Sequence, residues 1–277
     1  MSKRLKKDYL LSWLQVHGSY ERAVYRFFKN ALDIQSKKVA KEIEDNGITI
    51  GISVISQSIA RDSEITEAYR KAYEYIGVRH GKWTTDWMTQ FEKPVKSRLG
   101  IHSMESKLIG FGSEFWRRKI TEFLVVFGAE KVSELNLFTV KLIQDLLVKS
   151  QAQNLTISQQ ATFIVETLRN PNYNRMRALR IARTESTIAA NFITKEAGKE
   201  APYKTVKEWL SVEDSRTRPD HSEVNGKQVG MDEPFLVGGE EMDRPGDPSA
   251  SAGNLVNCRC GLLIQPLLDS DGLPIRK

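Results

Sequence analysis

The sequence predicts an α+β fold: a mainly α-helical N-terminal region followed by a small α+β C-terminal module with a short antiparallel sheet and a long loop. Apolar residues recur at helical spacing through most of the first 200 residues. Beyond them, residues 205–211 alternate as a β-strand does, and residues 260–265 form a second strand-like segment. Asp, Gly, Pro and Ser are frequent between these two segments, which indicates a long loop.

The first predicted helix covers residues 19–46. Its apolar positions, such as Val24 and Phe28, follow a period close to 3.6 residues. Gly47 is the expected stop, because glycine readily ends a helix. Residues 48–55 alternate loosely and fit either a strand or a helix, and we take them as helical.

Further helices follow along the chain, separated by residues that interrupt helices. The predicted helical segments are residues 64–75, 83–91, 114–127, 135–149, 157–169 and 173–197. Gly77 and Gly81 are expected to separate the first two of these segments. Thr156 and Gln159 form a capping-box pattern at the start of a helix, and Gly198 is the expected C′ residue of the last one.

We place the domain boundary between residues 170 and 171. Residues 1–170 form a basic helical region, and residues 171–277 form a C-terminal module. The module consists of a linking helix at residues 173–197 and a sheet module at residues 201–268. Its two strand segments are natural partners, and the loop between them is long enough to indicate a functional or locally stapled region.

The net charge divides unequally along the chain. The whole sequence carries a formal charge of +6. Residues 201–277 contain nine Lys/Arg and thirteen Asp/Glu, a net charge of −4, which leaves +10 on residues 1–200. The basic part can lie near nucleic acid or an acidic protein, or it can be an ordinary solvated helical surface.

No segment resembles a membrane span or a secretory signal. The longest near-continuous apolar run is residues 123–129, whereas a membrane span needs about 20 apolar residues. The basic N-terminus is followed by an apolar stretch that is too short and too interrupted for the core of a signal peptide. We therefore expect neither membrane association nor secretion by that route.

Two cysteines and a distant histidine are candidate metal ligands. Cys258 and Cys260 are one residue apart, a spacing that suits one shared metal ion better than a disulfide. If the two strands pair, Asp214 and His221 come near the cysteines, and the four side chains can form a tetrahedral structural zinc site. Alternatively, both cysteines are small packed residues and His221 is a loop residue with ordinary hydrogen bonds.

A catalytic zinc is a weaker hypothesis for the same residues. It requires an open coordination position and a nearby base, for which Asp220 and Glu223 are available. Carboxylates are abundant in this acidic part of the chain, however, and two thiolates donate enough charge to weaken the metal as a Lewis acid. We therefore predict no catalytic residues and no enzymatic activity.

Three arginines share one side of the predicted helix at residues 173–197. Arg177, Arg180 and Arg183 fall within an arc of about 120°. Such a row of guanidinium groups can hold the phosphates or the carboxylates of a partner. The alternative is an amphipathic helix whose arginines pair with acids of their own domain.

A set of short motifs follows in a fixed order over residues 173–265. Its members include Thr184, Glu185, Asn191, Gly198, Trp209, Asp214, Thr217, Arg218, His221, Gly226, Phe235, Asp247, Cys258, Arg259 and Cys260. In this order and spacing they resemble the phage Mu F-like minor head proteins, the phage head-morphogenesis family. The resemblance covers about a third of the chain and does not extend to the N-terminal helices.

The resemblance implies a structural virion protein, a minor capsid protein that associates with the portal or the inner head. Such proteins assist head assembly, DNA packaging or DNA ejection. The implied partners are the portal protein, a scaffold or major capsid protein, and packaged DNA through non-specific phosphate contacts. The implied location is the virion, at the inner head or portal region, and the host cytoplasm during assembly.

Two other functions remain open on the residues alone. The candidate ligands Asp214, His221, Cys258 and Cys260 fit a zinc-dependent hydrolase or nuclease. The basic N-terminal part fits a non-specific DNA-binding packaging accessory, whose phosphate contacts would be sensitive to salt.

Overall fold

The computed structural model describes residues 1–48, 51–60, 63–91 and 111–277 of the chain. The N-terminal part is helical, and we number its helices α1 (Lys3–Asn46), α2 (Gly51–Ala60), α3 (Ser63–Thr89), α4 (Ser113–Ala152), α5 (Ile157–Arg169) and α6 (Arg175–Glu200). The C-terminal part contains β1 (Thr205–Leu210), α7 (Pro219–Glu223), β2 (Gln228–Gly230), β3 (Phe235–Val237), β4 (Glu240–Met242), α8 (Ala252–Leu255) and β5 (Gly261–Pro266). The predicted α+β class is confirmed.

Helix α3 continues through the two glycines that the sequence predicts as helix breaks. A Cβ atom at Gly77 would lie 2.3 Å from the Ile120 side chain, and one at Gly81 would lie 2.3 Å from the Trp116 ring. These glycines therefore allow α4 to pack closely against α3, and the predicted breaks are wrong. Helix α4 likewise joins the two segments predicted at residues 114–127 and 135–149.

Helix ends agree with the prediction at two positions and differ at a third. Gly47 follows α1 with a φ of 73°, the left-handed conformation that glycine adopts without strain. Thr156 and Gln159 form both hydrogen bonds of the capping box at the start of α5. Gly198 does not end α6, which continues to Glu200. A Cβ atom there would lie 3.0 Å from the Ile264 side chain, so the lack of a side chain at Gly198 allows β5 to pack closely against α6.

The predicted strand pairing is confirmed. Strand β1 is the centre of a three-stranded antiparallel sheet with the order β2–β1–β5. Trp209 lies opposite Leu262, and Leu210 lies opposite Gly261. Strands β3 and β4 form a separate two-stranded sheet. This pairing places the segment after β1 beside the segment that precedes β5, which contains both cysteines.

The chain divides into two units. The first unit comprises Met1–Arg22, Tyr73–Glu122 and Ala182–Lys277, and the second comprises Ala23–Ala72 and Phe123–Ile181. Both units draw on residues before and after position 170, because long helices contribute to each. The predicted boundary between residues 170 and 171 does not coincide with the division between these units. As a boundary between two segments of the sequence, it stays a prediction.

Each unit has its own core. Aliphatic side chains dominate the buried core cluster of the second unit, which consists of Val39, Ala40, Ile43, Ile55, Ile59, Ile143, Leu146, Ile164, Val165 and Leu168. In the first unit, Tyr9 and Trp13 pack with Leu210 and Leu263 of the sheet. Within the described residues, no helix is both long enough and apolar enough to cross a membrane.

Candidate functional site

Three buried side chains, His221, Cys258 and Cys260, form the ligand group of the first unit. Their donor atoms all lie within 4.8 Å of one another. His221 Nδ1 is 3.7 Å from Cys258 Sγ and 3.4 Å from Cys260 Sγ. A tetrahedral zinc ion with ordinary bond lengths separates such atoms by about 3.5 Å. The ligand group can therefore hold a metal ion without a large movement of its side chains.

The histidine ring is oriented by a hydrogen-bonded asparagine. Asn254 Nδ2 donates to the Val237 carbonyl at 3.4 Å, which turns Asn254 Oδ1 toward His221 Nε2 at 3.3 Å. Because Oδ1 is an acceptor, Nε2 carries the proton and Nδ1 presents its lone pair to the two sulfurs. Metal-binding histidines are commonly held in this way, with the second ring nitrogen donating to a neighbouring oxygen.

The two thiols of the ligand group share their charge unequally. The pKa of Cys258 is lowered well below its ordinary value, mainly by the hydrogen bond with the Cys260 thiol and against the opposing effect of burial. The pKa of Cys260 is raised by Cys258 and by burial. Cys258 therefore loses its proton more readily than Cys260, and a bound divalent cation would favour loss of both protons.

Local backbone structure places the three ligands. His221 lies on α7, a one-turn helix that begins at Pro219, and the fixed φ of proline suits this first helical position. Asn257, directly before the cysteines, has a φ of 58°, a conformation that asparagine tolerates better than most residues. The chain therefore turns sharply there before it enters β5.

Polar side chains of α6 hold the backbone around the cysteines. Thr184 Oγ1 accepts a hydrogen bond from the Asn257 N–H at 3.0 Å, and Thr187 Oγ1 donates to the Cys258 carbonyl at 2.5 Å. Asn191 Nδ2 donates to the Cys260 carbonyl at 2.9 Å. Since these α6 residues are buried, the cysteine segment is fixed to the helix by hydrogen bonds that water does not replace.

Asn191 also connects the cysteine segment to the rest of the sheet module. Its Nδ2 donates to the Pro245 carbonyl at 3.0 Å, and its Oδ1 accepts from the Leu262 N–H at 2.8 Å. One side chain thus satisfies two carbonyls and one N–H, and it is completely buried. This explains why the motif contains an asparagine, whose amide both donates and accepts.

The fourth predicted ligand, Asp214, does not join the ligand group. Its carboxylate receives two hydrogen bonds from the Arg259 guanidinium, at 2.8 and 2.5 Å, and one from the Arg216 N–H at 3.0 Å. The hydrogen bond from Arg259 is the main reason that the pKa of Asp214 is lowered. Because Arg259 stands between the two cysteines, Asp214 acts as an anchor for that segment.

The remaining motif residues near the ligand group have structural contacts. Thr217 closes the turn with Asp214 through its backbone N–H at 2.9 Å. Arg218 donates to the Val256 carbonyl at 2.5 Å. The ring of Trp209 meets the His221 ring edge-on, with centroids 5.3 Å apart, and Trp209 is completely buried. These residues enclose the ligand group from the side of β1 and α7.

Two further motif residues lie in polar networks elsewhere in the first unit. Glu185 accepts a hydrogen bond from the Tyr73 hydroxyl at 2.6 Å, away from the cysteines. Asp247 accepts from the Asp243 N–H at 2.7 Å and from the Ser249 N–H at 3.0 Å, and thereby closes the loop after β4. Both therefore stabilise the fold around the site.

The three predicted contact arginines of α6 have different environments. Arg177 belongs to the second unit, where it donates to the Leu135 carbonyl at 3.0 Å, and burial lowers its pKa to about 10. Arg180 is exposed. The side chain of Arg183 is 39% exposed and lies 3.9 Å from Glu21. Arg177 thus has a packing role, and the other two keep access to solvent.

Sequence reasoning missed two residues of the site, Asn254 and Thr187. Thr187 lies three residues after Thr184 and four before Asn191, so the three polar side chains share one helix face. That spacing within a run of Ala and Ile was a usable signal. Asn254 offers no comparable signal, because its role depends on the position of α8.

Residues 144–263 match the family described as Phage Mu protein F like protein. The chain is similar to that family over this segment, which is less than half of its length. The resemblance predicted from the motifs is thereby confirmed, and it indicates a phage head-morphogenesis protein. The segment contains the ligand group and the α6 side chains that hold it.

Two curated relatives share parts of the chain. The NAD(+)--arginine ADP-ribosyltransferase EFV of Enterococcus faecalis is 40% identical over 86 residues, which is 30% of this chain and 18% of that protein. The uncharacterized protein YqbB of Bacillus subtilis is 27% identical over 160 residues, 56% of this chain and 47% of that protein. The chain thus spans less than half the length of either relative. No solved structure matches it.

Proposed function

We propose that this protein is a minor head protein of a phage or prophage, which associates with the portal and the inner head and assists head assembly or DNA delivery. The observation that carries the proposal is the Phage Mu F-like segment at residues 144–263. Its proposed location is the virion, with the host cytoplasm during assembly. Its proposed partners are the portal protein, a scaffold or major capsid protein, and packaged DNA through non-specific phosphate contacts.

Co-purification with the portal protein of the neighbouring gene tests this proposal. The full chain is co-expressed with that portal protein, and the complex is measured by native mass spectrometry at moderate salt. We expect a stable complex with few copies of this chain per portal ring. Two folded proteins that do not associate, together with absence of the chain from purified particles, would contradict the proposal.

We further propose that the metal of the ligand group is zinc and that its role is structural. One imidazole nitrogen and two thiolates are a donor set that zinc favours. The ligands join α7 to the segment before β5, so a bound ion would cross-link the two ends of the long loop. Metal-binding free energy would then contribute directly to the stability of this part of the fold.

Metal analysis and limited proteolysis test the zinc proposal. The full chain, purified without chelator, should contain about one zinc per molecule. His221→Ala and Cys258→Ser should lose the zinc and expose residues 201–277 to protease, while the helical part resists digestion. His80→Ala, which alters a buried histidine away from the ligand group, is the matched control and should retain zinc. Metal-free wild-type protein with a protease-resistant sheet module would refute the proposal.

We propose no enzymatic activity for this chain. Two thiolates on one zinc reduce its strength as a Lewis acid, and Asp214, the carboxylate predicted as a ligand, is held by Arg259. A metal-dependent nuclease or peptidase activity in the purified protein, abolished by His221→Ala, would contradict this.

A further inference from the structure

We propose that one face of α4 in the second unit binds a second copy of this chain, with the two α4 helices antiparallel about a two-fold axis at Leu137. This partner goes beyond those of the proposed function. Seven exposed residues form the face, at successive spacings of four or three residues. We call this set the α4 stripe: Val126, Glu130, Ser133, Leu137, Lys141, Gln144 and Val148. At 100° per residue they fall within an arc of about 80°.

Three apolar side chains lie in a row along the α4 stripe. Val126 is 67% exposed, Leu137 is 66% exposed and Val148 is 63% exposed. Successive members are 11 residues apart, about three helical turns, so the row extends about 33 Å along α4. Single exposed apolar side chains are common on protein surfaces, but a stripe with spacings of three and four residues is typical of a helix that packs against another helix.

The opposite side of α4 packs into the second unit itself. Leu135 and Leu146 are buried there, about 160° and 180° around the helix from Leu137. A helix at the surface of a globular protein ordinarily has one apolar side, whereas apolar residues on both sides are typical of a helix with neighbours on both sides. The α4 stripe is therefore a surface on which a partner can pack.

The spacing of the α4 stripe is symmetric about Leu137, and this symmetry favours a second copy as the partner. Its members lie 4, 7 and 11 residues before and after Leu137. A two-fold axis at Leu137 therefore places Val126 opposite Val148 of the second copy and Leu137 opposite its own equivalent. Apolar members meet apolar members, and the polar members between them likewise face polar ones. A two-fold interface requires such a self-complementary surface.

The charges beside the stripe favour the antiparallel direction. Glu134 and Lys141 are exposed and lie on the same side of Leu137, about 60° and 40° around the helix. Antiparallel pairing brings Lys141 of one copy level with Glu134 of the other, and the two-fold axis repeats this contact. A parallel pair in register would instead bring Lys141 level with its own equivalent. Asp145 lies further from the stripe, about 80° from Leu137. Such charge pairs fix direction more than affinity.

Sedimentation of the full chain over a dilution series tests for the dimer. We expect a monomer–dimer equilibrium. Val126→Glu places a charge opposite Val148 and should weaken the dimer at least about tenfold. Val125→Glu is the matched control, because Val125 is the next residue and is 77% exposed, but it lies about 120° from Leu137. This control should leave the dissociation constant unchanged.

Charge exchange and disulfide cross-linking test the direction. Lys141→Glu should weaken the dimer by a smaller factor than Val126→Glu, and adding Glu134→Lys to it should restore the affinity. Leu137→Cys should give a disulfide-linked dimer on mild oxidation, because the two-fold axis places its two Cα atoms about 5 Å apart. Val126→Cys should not, since its two copies would lie about 33 Å apart. Both native cysteines are buried, so the unmodified chain is the control.

Each contrary outcome identifies what is wrong. A chain that stays monomeric at the highest concentration overturns the dimer. A dimer that Val125→Glu and Val126→Glu weaken equally, or that neither weakens, overturns the assignment to the α4 stripe. Equal cross-linking of Leu137→Cys and Val126→Cys overturns the antiparallel arrangement. Because the substituted positions are exposed, each variant should keep the circular dichroism and the Tm of the unmodified chain, which separates loss of the dimer from loss of the fold.

Discussion

The two units of this protein both bury polar side chains, but the first unit buries many more of them. The second unit has a core of mainly Val, Ile and Leu side chains from four helices, and such a core depends on apolar volume more than on individual partners. The first unit buries polar and charged side chains, among them Asn191, Lys207, Glu208 and His221, each with named hydrogen-bond partners or a metal-ligand role. The first unit should therefore tolerate substitution poorly.

The motif residues follow this difference. The ligand group and the α6 side chains that hold it belong to the first unit, where one residue often has several partners. In the first unit Lys207, for example, is completely buried and donates to both the backbone and the side chain of Asp243 at 2.7 Å. A buried charge of this kind is costly to leave unpaired, so loss of Asp243 should strongly destabilise the first unit.

The largest effect is expected from Asn191→Ala. Loss of three buried hydrogen bonds, which leaves two carbonyls and one N–H unpaired, should lower the free energy of unfolding by about 3–5 kcal/mol. Ile164→Val in the core of the second unit should cost only about 0.5–1.5 kcal/mol. Urea unfolding measures the free energy of unfolding of both variants. Similar decreases in the two variants would contradict the proposed difference between the units.

A pH titration of stability tests a buried histidine of the first unit. Burial, aided by the charge of His17, lowers the pKa of His80 from 6.5 to about 3 in the folded protein. The unfolded chain therefore takes up a proton first, and stability falls as the pH decreases from about 6.5 toward 3, by up to about 1.4 kcal/mol per pH unit. The stabilising contribution is complete above pH 6.5.

His80→Asn isolates this contribution. The slope of unfolding free energy against pH should be smaller in the variant, because the titrating imidazole of His80 has been removed. The slope does not vanish, since other titrating groups, including the metal ligands, remain in both proteins. Parallel curves for the two proteins between pH 4 and 6.5 would show that the pKa of His80 is not lowered in the folded protein.

Two glycine substitutions compare packing in the two units. Gly81→Ala places a methyl group against Trp116 and should cost about 1–3 kcal/mol. In the second unit, a Cβ atom at Gly128 would meet Leu124 at an ordinary 3.6 Å, so Gly128→Ala should gain up to about 1 kcal/mol from helix propensity. Thermal unfolding measures both, and opposite shifts in Tm are the expected result.

The smallest effect is expected from the capping box of the second unit. Thr156→Ala removes the side-chain acceptor of the Gln159 N–H and should cost about 1 kcal/mol. Ser158→Ala, an exposed position two residues later, is the control and should change stability by less than about 0.5 kcal/mol. Equal losses in the two variants would mean that the capping box contributes nothing specific.

The fold was predictable where a pattern depends on neighbouring residues. Helical periodicity predicted α5 and residues 19–46 of α1, although α1 begins at Lys3. The strand-like segments at residues 205–211 and 260–265 predicted β1 and its partner β5. Gly77, Gly81 and Gly198 were wrongly predicted to interrupt or end helices, because each instead makes room for a side chain of a distant element. A glycine that ends a helix and a glycine that allows close packing cannot be distinguished from the sequence alone.

The candidate site was likewise predictable in its local chemistry but not in its long-range contacts. The residue types and the order of the motifs identified His221, Cys258 and Cys260 as ligands that can share a metal, because thiolate and imidazole chemistry is local to each side chain. The tertiary structure alone decided that Asp214 pairs with Arg259 and that Arg177 is buried, since each depends on which distant residues pack beside it. The sequence by itself thus determined the donor chemistry and the helical and strand segments, while the packing of α6 against the cysteine segment determined the geometry.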